Sequence, residues 1–262
     1  MITWGIVPAA GIGSRIQPLA FSKELLPVGS RRDGEVERPR AVSEYLLERM
    51  VLGGATRICI VVSSGKSDIL EYFGADYCGA PIAYVMQPKP AGLCDAIFRA
   101  LPLVADDDSV VVGLPDTVWF PADGLRRLGD GALEFLLFPV SRPELFDAVI
   151  ADDGGRVAEI EVKKPNPRSS WIWGSFKARG GVLRELEELW RARDRADAYV
   201  GTLVNAWLER GGRARAVRAG EAYVDVGTLH GYREAIRLLA SAQSDRTATG
   251  DGPGGGRWQG PR

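Results

Sequence analysis

An α/β fold, built on a mostly parallel sheet with helices on both faces, is predicted by three observations. Short apolar runs rich in β-branched residues at positions 2–7, 58–62 and 109–113 have the uniform character of strands buried on both faces. Amphipathic helical segments alternate with them, giving the β-α-β rhythm of a doubly wound sheet. Glycine-bearing turns follow the carboxyl ends of those strands, where such sheets bind ligands. A length of 262 residues suffices for one large domain with a sizeable core, expected over residues 1–243. Gly252-Pro253-Gly254-Gly255-Gly256 marks residues 244–262 as a disordered Gly/Pro-rich tail.

The first strand, residues 2–7, runs into Pro8-Ala9-Ala10-Gly11-Ile12-Gly13-Ser14-Arg15. Gly11 and Gly13 let the backbone turn tightly and approach a ligand. Ala10, Gly11, Gly13 and Ser14 leave backbone N–H groups to face an anion, while Arg15 and Lys23 add a bidentate fork and a point charge. Read alone, the loop leaves open a plain turn with two surface cations. Residue type excludes two better-known phosphate loops. Ile16 stands where a dinucleotide fingerprint needs a third glycine, and Ser14-Arg15 stands where a Walker loop needs Lys followed by Ser or Thr.

Residues 29–40 are polar and charged, and are expected to form a flexible connection. Residues 41–52 place Val42, Tyr45, Leu46, Arg49 and Met50 at helical spacing, stopped by Gly53-Gly54. A strand at 58–62, a short helix at 67–73 and a strand at 82–86 follow. Gln87, at the end of that strand, and Gly92, ahead of the next helix, form a segment that on its own reads as a turn. The strand at 109–113 ends in Leu114-Pro115-Asp116-Thr117. A carboxylate leaving a central strand beside a phosphate loop is placed to hold Mg²⁺, which prefers one or two carboxylates plus phosphate oxygens.

Residues 133–140 are a further strand, and 149–151 and 156–162 form a hairpin through Asp152-Asp153-Gly154-Gly155. Lys163-Lys164-Pro165 ends it. The aromatic strand at 170–176 offers Trp171 and Trp173 either as pocket wall or as core filling. Helices at 182–193 and 198–210, a strand at 214–217, the segment Tyr223-Val224-Asp225-Val226-Gly227-Thr228 and a closing helix at 229–242 complete the order.

Composition narrows the chemistry. The formal charge of -1 implies no general attraction to nucleic acid or to an anionic membrane. Cys59, Cys78 and Cys94 make an odd count without C-x-x-C spacing, which argues against a disulfide framework and a thiolate metal site and fits the cytoplasm. His230 is the only histidine, so neither a histidine metal site nor a Ser-His-Asp triad is readily built. No apolar run has the length of a membrane span and no secretory leader is evident, so a soluble, unprocessed protein is expected.

The segment from Ala10 to Val28, with Ala-Gly-Ile-Gly-Ser-Arg-Ile-Gln-Pro-Leu and then Ser-Lys-Glu-Leu-Leu-Pro-Val, resembles the signature of the sugar-1-phosphate nucleotidylyltransferases. Isoprenoid cytidylyltransferases begin with a similar loop, and a non-catalytic regulatory protein on the same fold is a second alternative. The resemblance extends to the closing helix. It implies a Rossmann-like mixed, mostly parallel sheet and a reaction joining a sugar 1-phosphate to a nucleoside triphosphate, UTP or dTTP, with release of pyrophosphate. By the same resemblance Arg15 and Lys23 hold the triphosphate, Gln87 and Gly92 contact the base, and Asp116 and Asp225 hold Mg²⁺. Lys164 matches the lysine on the sugar phosphate. Two segments depart from the family pattern: Lys163 stands where the family has Glu, and Phe146-Asp147 lies where many members have Tyr-Gly, so both touch the expected sugar pocket. A homo-oligomer is common in the family.

Overall fold

In the computed structural model the described residues are 2–249, with side chains described through Ala242. In chain order the elements are β1 (Thr3–Pro8), β2 (Pro27–Asp33), β3 (Val36–Ala41), α1 (Val42–Leu52), β4 (Arg57–Val62), α2 (Ser67–Phe73), β5 (Asp76–Tyr77), β6 (Ala80–Met86) and α3 (Gly92–Arg99). There follow β7 (Ser109–Gly113), β8 (Thr117–Phe120), β9 (Leu133–Pro139), β10 (Asp147–Ala151), β11 (Val157–Val162) and β12 (Trp171–Arg179). The chain closes with α4 (Gly180–Ala192), α5 (Val200–Glu209), β13 (Ala214–Val217), β14 (Ala222–Asp225) and α6 (Leu229–Thr249).

Strands β6, β4, β1 and β7 lie side by side and parallel. β12 pairs antiparallel with β7 on one edge and β9 on the other, so β9, with β13 parallel beside it, again runs the way of β7. The β10–β11 hairpin joins through the pair Ala148↔Ile172 at the start of β12 and through the bridge Arg156↔Arg215 beside β13. Alternation along the strands divides the core in two. Ile6, Cys59, Val61, Val110 and Val112 face α3, α4 and α5, whereas Val7, Ile58, Ile60, Val62 and Val111 face α1 and α2. A strand buried on both faces has no polar side to show, which is why these runs are apolar throughout.

A third, smaller core lies between α6, the β2 end of the first hairpin and a separate ribbon of β8 with β14. Arg49 of α1 anchors that ribbon from inside: its Nε and Nη2 donate to the Trp119 carbonyl at 3.0 and 2.6 Å, and its Nη1 donates to Tyr45 O at 2.8 Å.

The structure corrects the flexible connection expected at 29–40. Residues there form the antiparallel β2–β3 hairpin, fastened by ion pairs of Arg31 with Glu44 and Arg40 with Glu48 at 3.4 and 2.8 Å. Trp173 is buried against Phe135 and Phe176, and Trp171 packs on the same cluster, so both tryptophans serve the core. Helix α6 runs past the boundary expected at 243, through Thr249, because no Gly or Pro interrupts the chain before Gly250. The rest of the expected tail, 250–262, lies outside the described residues. Among the described residues no helix is long and apolar enough to cross a membrane.

Candidate active site

The loop after β1 carries Gly11, Gly13, Ser14 and Arg15, and a turn closes where Ile16 N donates to Gly13 O at 3.1 Å. Ala10 is buried at its base. Gly13 has φ +68°, and a Cβ built there would stand 2.6 Å from Cδ of Lys23. Glycine is therefore required both by the left-handed backbone and by the lysine stem passing beside it. Lys23 opens the 3-10 turn Lys23–Leu25 and its Nζ forms a very short contact with Oδ2 of Asp116, in the turn after β7. Burial by itself would lower the Lys23 pKa; the neighbouring charges of Asp116 and Glu24 outweigh it and hold the ammonium above its ordinary value. Burial likewise opposes ionisation of Asp116, and Lys23 overrides it, so the carboxyl lies below its ordinary range.

Asp225 ends β14, and its Oδ2 accepts from Arg15 Nη2 at 3.1 Å while its Oδ1 accepts from Gly227 N at 2.7 Å. The ribbon sets Asp225 opposite Thr117, and Val226 N donates to Asp116 O at 2.8 Å. A Cβ on Gly227 would lie 2.8 Å from Asp225 Oδ1, 3.0 Å from Arg15 Nη2 and 3.4 Å from Asp116 Oδ2. Both carboxylates and the arginine thus converge on one small residue. Asp116, just ahead of the ribbon, and Asp225, at its end, are two hard-oxygen donors that could hold Mg²⁺, an ion that takes one or two carboxylates beside phosphate oxygens. Among the described residues no group of three or more His, Cys, Asp or Glu is placed for a metal ion.

At the end of β6, the buried Gln87 donates from Nε2 to Asp95 Oδ2 at 2.8 Å and to Gly92 O at 3.2 Å. Both partners there only accept, so the network fixes the amide's orientation. The amide's donor end is thereby committed within the protein, and the carbonyl oxygen remains.

On the β10–β11 hairpin, Lys164 and Arg168 converge on the buried Glu161: Lys164 Nζ and Arg168 Nε each donate to Oε1 at 2.7 Å, and Arg168 N donates to Oε2 at 2.7 Å. Burial would raise the Glu161 carboxyl, but these donors bring it down to about 2. Lys163, with φ +44°, lies over the Tyr199 ring at 4.6 Å. Asp147 accepts from Trp173 Nε1 at 3.4 Å; burial pushes its carboxyl up, against that bond and the charge of Lys163. Tyr223 of β14 connects the two ends. Its ring packs on Phe146, and its hydroxyl is held well above its ordinary pKa by burial and then by the fields of Asp225, Asp116 and Asp147.

Sequence reasoning missed Glu24, Lys66 and Asp68, which lie beneath the loop. Lys66 Nζ donates to both carboxylate oxygens of Glu24 at 2.7 Å and to Ala9 O at 2.6 Å. Asp68 accepts from Ser22 N at 2.6 Å and Ser22 Oγ at 2.7 Å.

Known proteins share this arrangement of chain. A glucose-1-phosphate thymidylyltransferase of Neisseria meningitidis is 25% identical over 251 residues, spanning 92% of this chain and 83% of the relative. The UTP--glucose-1-phosphate uridylyltransferase AglF of Haloferax volcanii is 22% identical, over 92% of this chain and 98% of its own. A UTP-bound UGPase from Acinetobacter baumannii superposes with a TM-score of 0.74 at 19% identity, covering 95% of this chain and 99% of that one, and shares the fold. The family model described as nucleotidyl transferase matches residues 4–242, which contain every site residue described above. The chain belongs to the nucleotidyl transferase family.

Proposed function

We propose that the protein joins a sugar 1-phosphate to a nucleoside triphosphate, UTP or dTTP, giving a nucleotide sugar and pyrophosphate. A phosphate oxygen of the sugar phosphate attacks the α-phosphorus, the bond to the bridging oxygen on the β-phosphate side breaks, and pyrophosphate leaves with that electron pair. The observation that carries the reading is the convergence of Lys23, Arg15, Asp116 and Asp225 at the glycine loop. No protein nucleophile is needed, because positioning and charge neutralisation supply the rate in this chemistry.

Lys23 and Arg15 bind the triphosphate, with Lys23 at the phosphorus where charge develops. Asp116 and Asp225 would hold Mg²⁺, which when bound offsets the repulsion between two anionic substrates. Gln87 offers its carbonyl oxygen to a base N–H, which suits the imide N3–H of uracil or thymine. Gly92, whose carbonyl fixes that amide, lines the same base site. Lys164, steadied by Glu161, receives the sugar phosphate. Asp147 and Lys163 present a carboxylate and an ammonium to the sugar, so the preferred substrate differs from glucose 1-phosphate in hydroxyl arrangement or carries an anionic group. Pyrophosphate release from four triphosphates against a panel of sugar 1-phosphates, with Mg²⁺, tests both parts. A pyrimidine triphosphate with a sugar other than glucose is expected; no release with any pair rejects the activity, and a clear preference for glucose 1-phosphate rejects the sugar assignment.

A further inference from the structure

We infer that Lys66 and Asp68, at the start of α2, are positioning residues that hold the catalytic Lys23 in place from beneath. The inference rests on the role of Lys23 proposed above. Ser22 and Glu24, the residues on either side of Lys23, are both gripped by this one turn. Asp68 takes the backbone N–H and the hydroxyl of Ser22, and Lys66 takes both oxygens of Glu24. The third donor of the Lys66 ammonium goes to Ala9 O, at the root of the glycine loop. Ser43 Oγ, donating to Glu24 O at 2.7 Å, fixes the backbone of the same turn from α1.

Energetics favour positioning over stability as the reason for this pair. Glu24 is 1% and Lys66 7% exposed, and a buried ion pair is a poor stabiliser because two charges have lost their water. Lysine carries a flexible four-carbon stem, so a catalytic ammonium is aimed only as well as its backbone is held. Here three elements meet at one ammonium: the strand end before the phosphate loop, the turn bearing Lys23, and α2. Loop and lysine are thereby fixed relative to each other without any group of Lys66 reaching a substrate.

The test uses two variants: Lys66→Met combined with Glu24→Gln, which leaves no unpaired buried charge, and Asp68→Ala. Each is expected to lower kcat by about ten- to a hundredfold, the cost of a misplacement near one ångström, with KM for the triphosphate changing less. In a Lys23→Ala background the same changes are expected to cost less than about twofold further, since nothing remains to be positioned. A kcat within about twofold of wild type in folded protein overturns the inference, as does a loss repeated in full in the Lys23→Ala background. Asp68 is half-buried and uncouples the test from folding of the Lys66 variant. Acylation of Lys23 by an amine reagent, followed by mass spectrometry, reads the same geometry without turnover. Its rate is expected to rise several-fold in Asp68→Ala, which leaves Glu24 in place, even if the activity assigned above proves wrong, and an unchanged rate there rejects the positioning role alone.

Discussion

The two ends of the site, those proposed above for the triphosphate and for the sugar, are built on different principles. At the first, two cations and two carboxylates form two opposed pairs, Lys23 with Asp116 and Arg15 with Asp225, and their charges sum to zero before any ligand arrives. Main-chain register fixes them, through the β8–β14 ribbon and the glycine loop. At the second, Asp147, Lys163 and Lys164 come from one hairpin that meets the sheet at two isolated places, Ala148 beside Ile172 and Arg156 beside Arg215. Lys164 is 49% exposed, against 14% for Lys23. The difference teaches that, on the roles proposed above, the chemistry rests on groups held by the main chain and the choice of sugar on a few side chains, so the second can vary without disturbing the first.

Four substitutions break or sharpen that contrast. Lys23→Ala is expected to lower turnover by about two to three orders of magnitude, roughly 3–4 kcal/mol, as when one preorganised group stabilising transition-state charge is lost. Steady-state rates at saturating substrate check it; a change below about fivefold would erase the distinction between the two ends. Asp116→Asn and Asp225→Asn are each expected to cost about ten- to a hundredfold at limiting Mg²⁺, recovering in part as Mg²⁺ is raised, with the melting temperature close to wild type. Wild-type rates at limiting Mg²⁺ in either variant would remove that residue from the metal site. Lys163→Glu is expected to have the smallest effect, shifting the ratio of efficiencies between anionic and neutral sugar phosphates about five- to tenfold towards the neutral ones. An unchanged ranking in the sugar panel would show that the hairpin does not choose the sugar.

The sheet was legible because its strands satisfy one local rule. β1, β4 and β7 are apolar on both faces, and β1 and β7 run into segments, the glycine loop and Leu114–Thr117, that stand out in the sequence. The β2–β3 hairpin obeys no such rule. Its charged stretch is held as strand by distant carboxylates, Glu44 and Glu48 on α1, and the sequence there looks like solvated loop. β8 was hidden by brevity, being four residues cut off by Pro121, and its partner β14 lies far along the chain. The glycine loop, Lys23 and the two aspartates, which the fold brings together, could be singled out because each stands in a recognisable short segment. Lys66 was not, because Ser-Ser-Gly-Lys carries no local signal and its partner Glu24 is 42 residues away. Glu24 stood in plain view beside Lys23, yet its burial, which makes it a partner for Lys66, is a tertiary fact. Gln87 was identified and its free end was not, since only the fold brings Asp95 and Gly92 to its amide.

The ribbon of β8 and β14 has a consequence for how such an enzyme can be rebuilt. Asp116 and Asp225 sit at the closed neck of a long excursion of chain that includes the β10–β11 hairpin, β12, α4 and α5. The neck is pinned by cross-strand pairing and by Arg49 behind Trp119, so the spacing of the two carboxylates does not depend on the length of what lies between. Whole hairpins from relatives with other tastes in sugar could be spliced into this excursion as exchangeable cassettes, with the two carboxylates left in register.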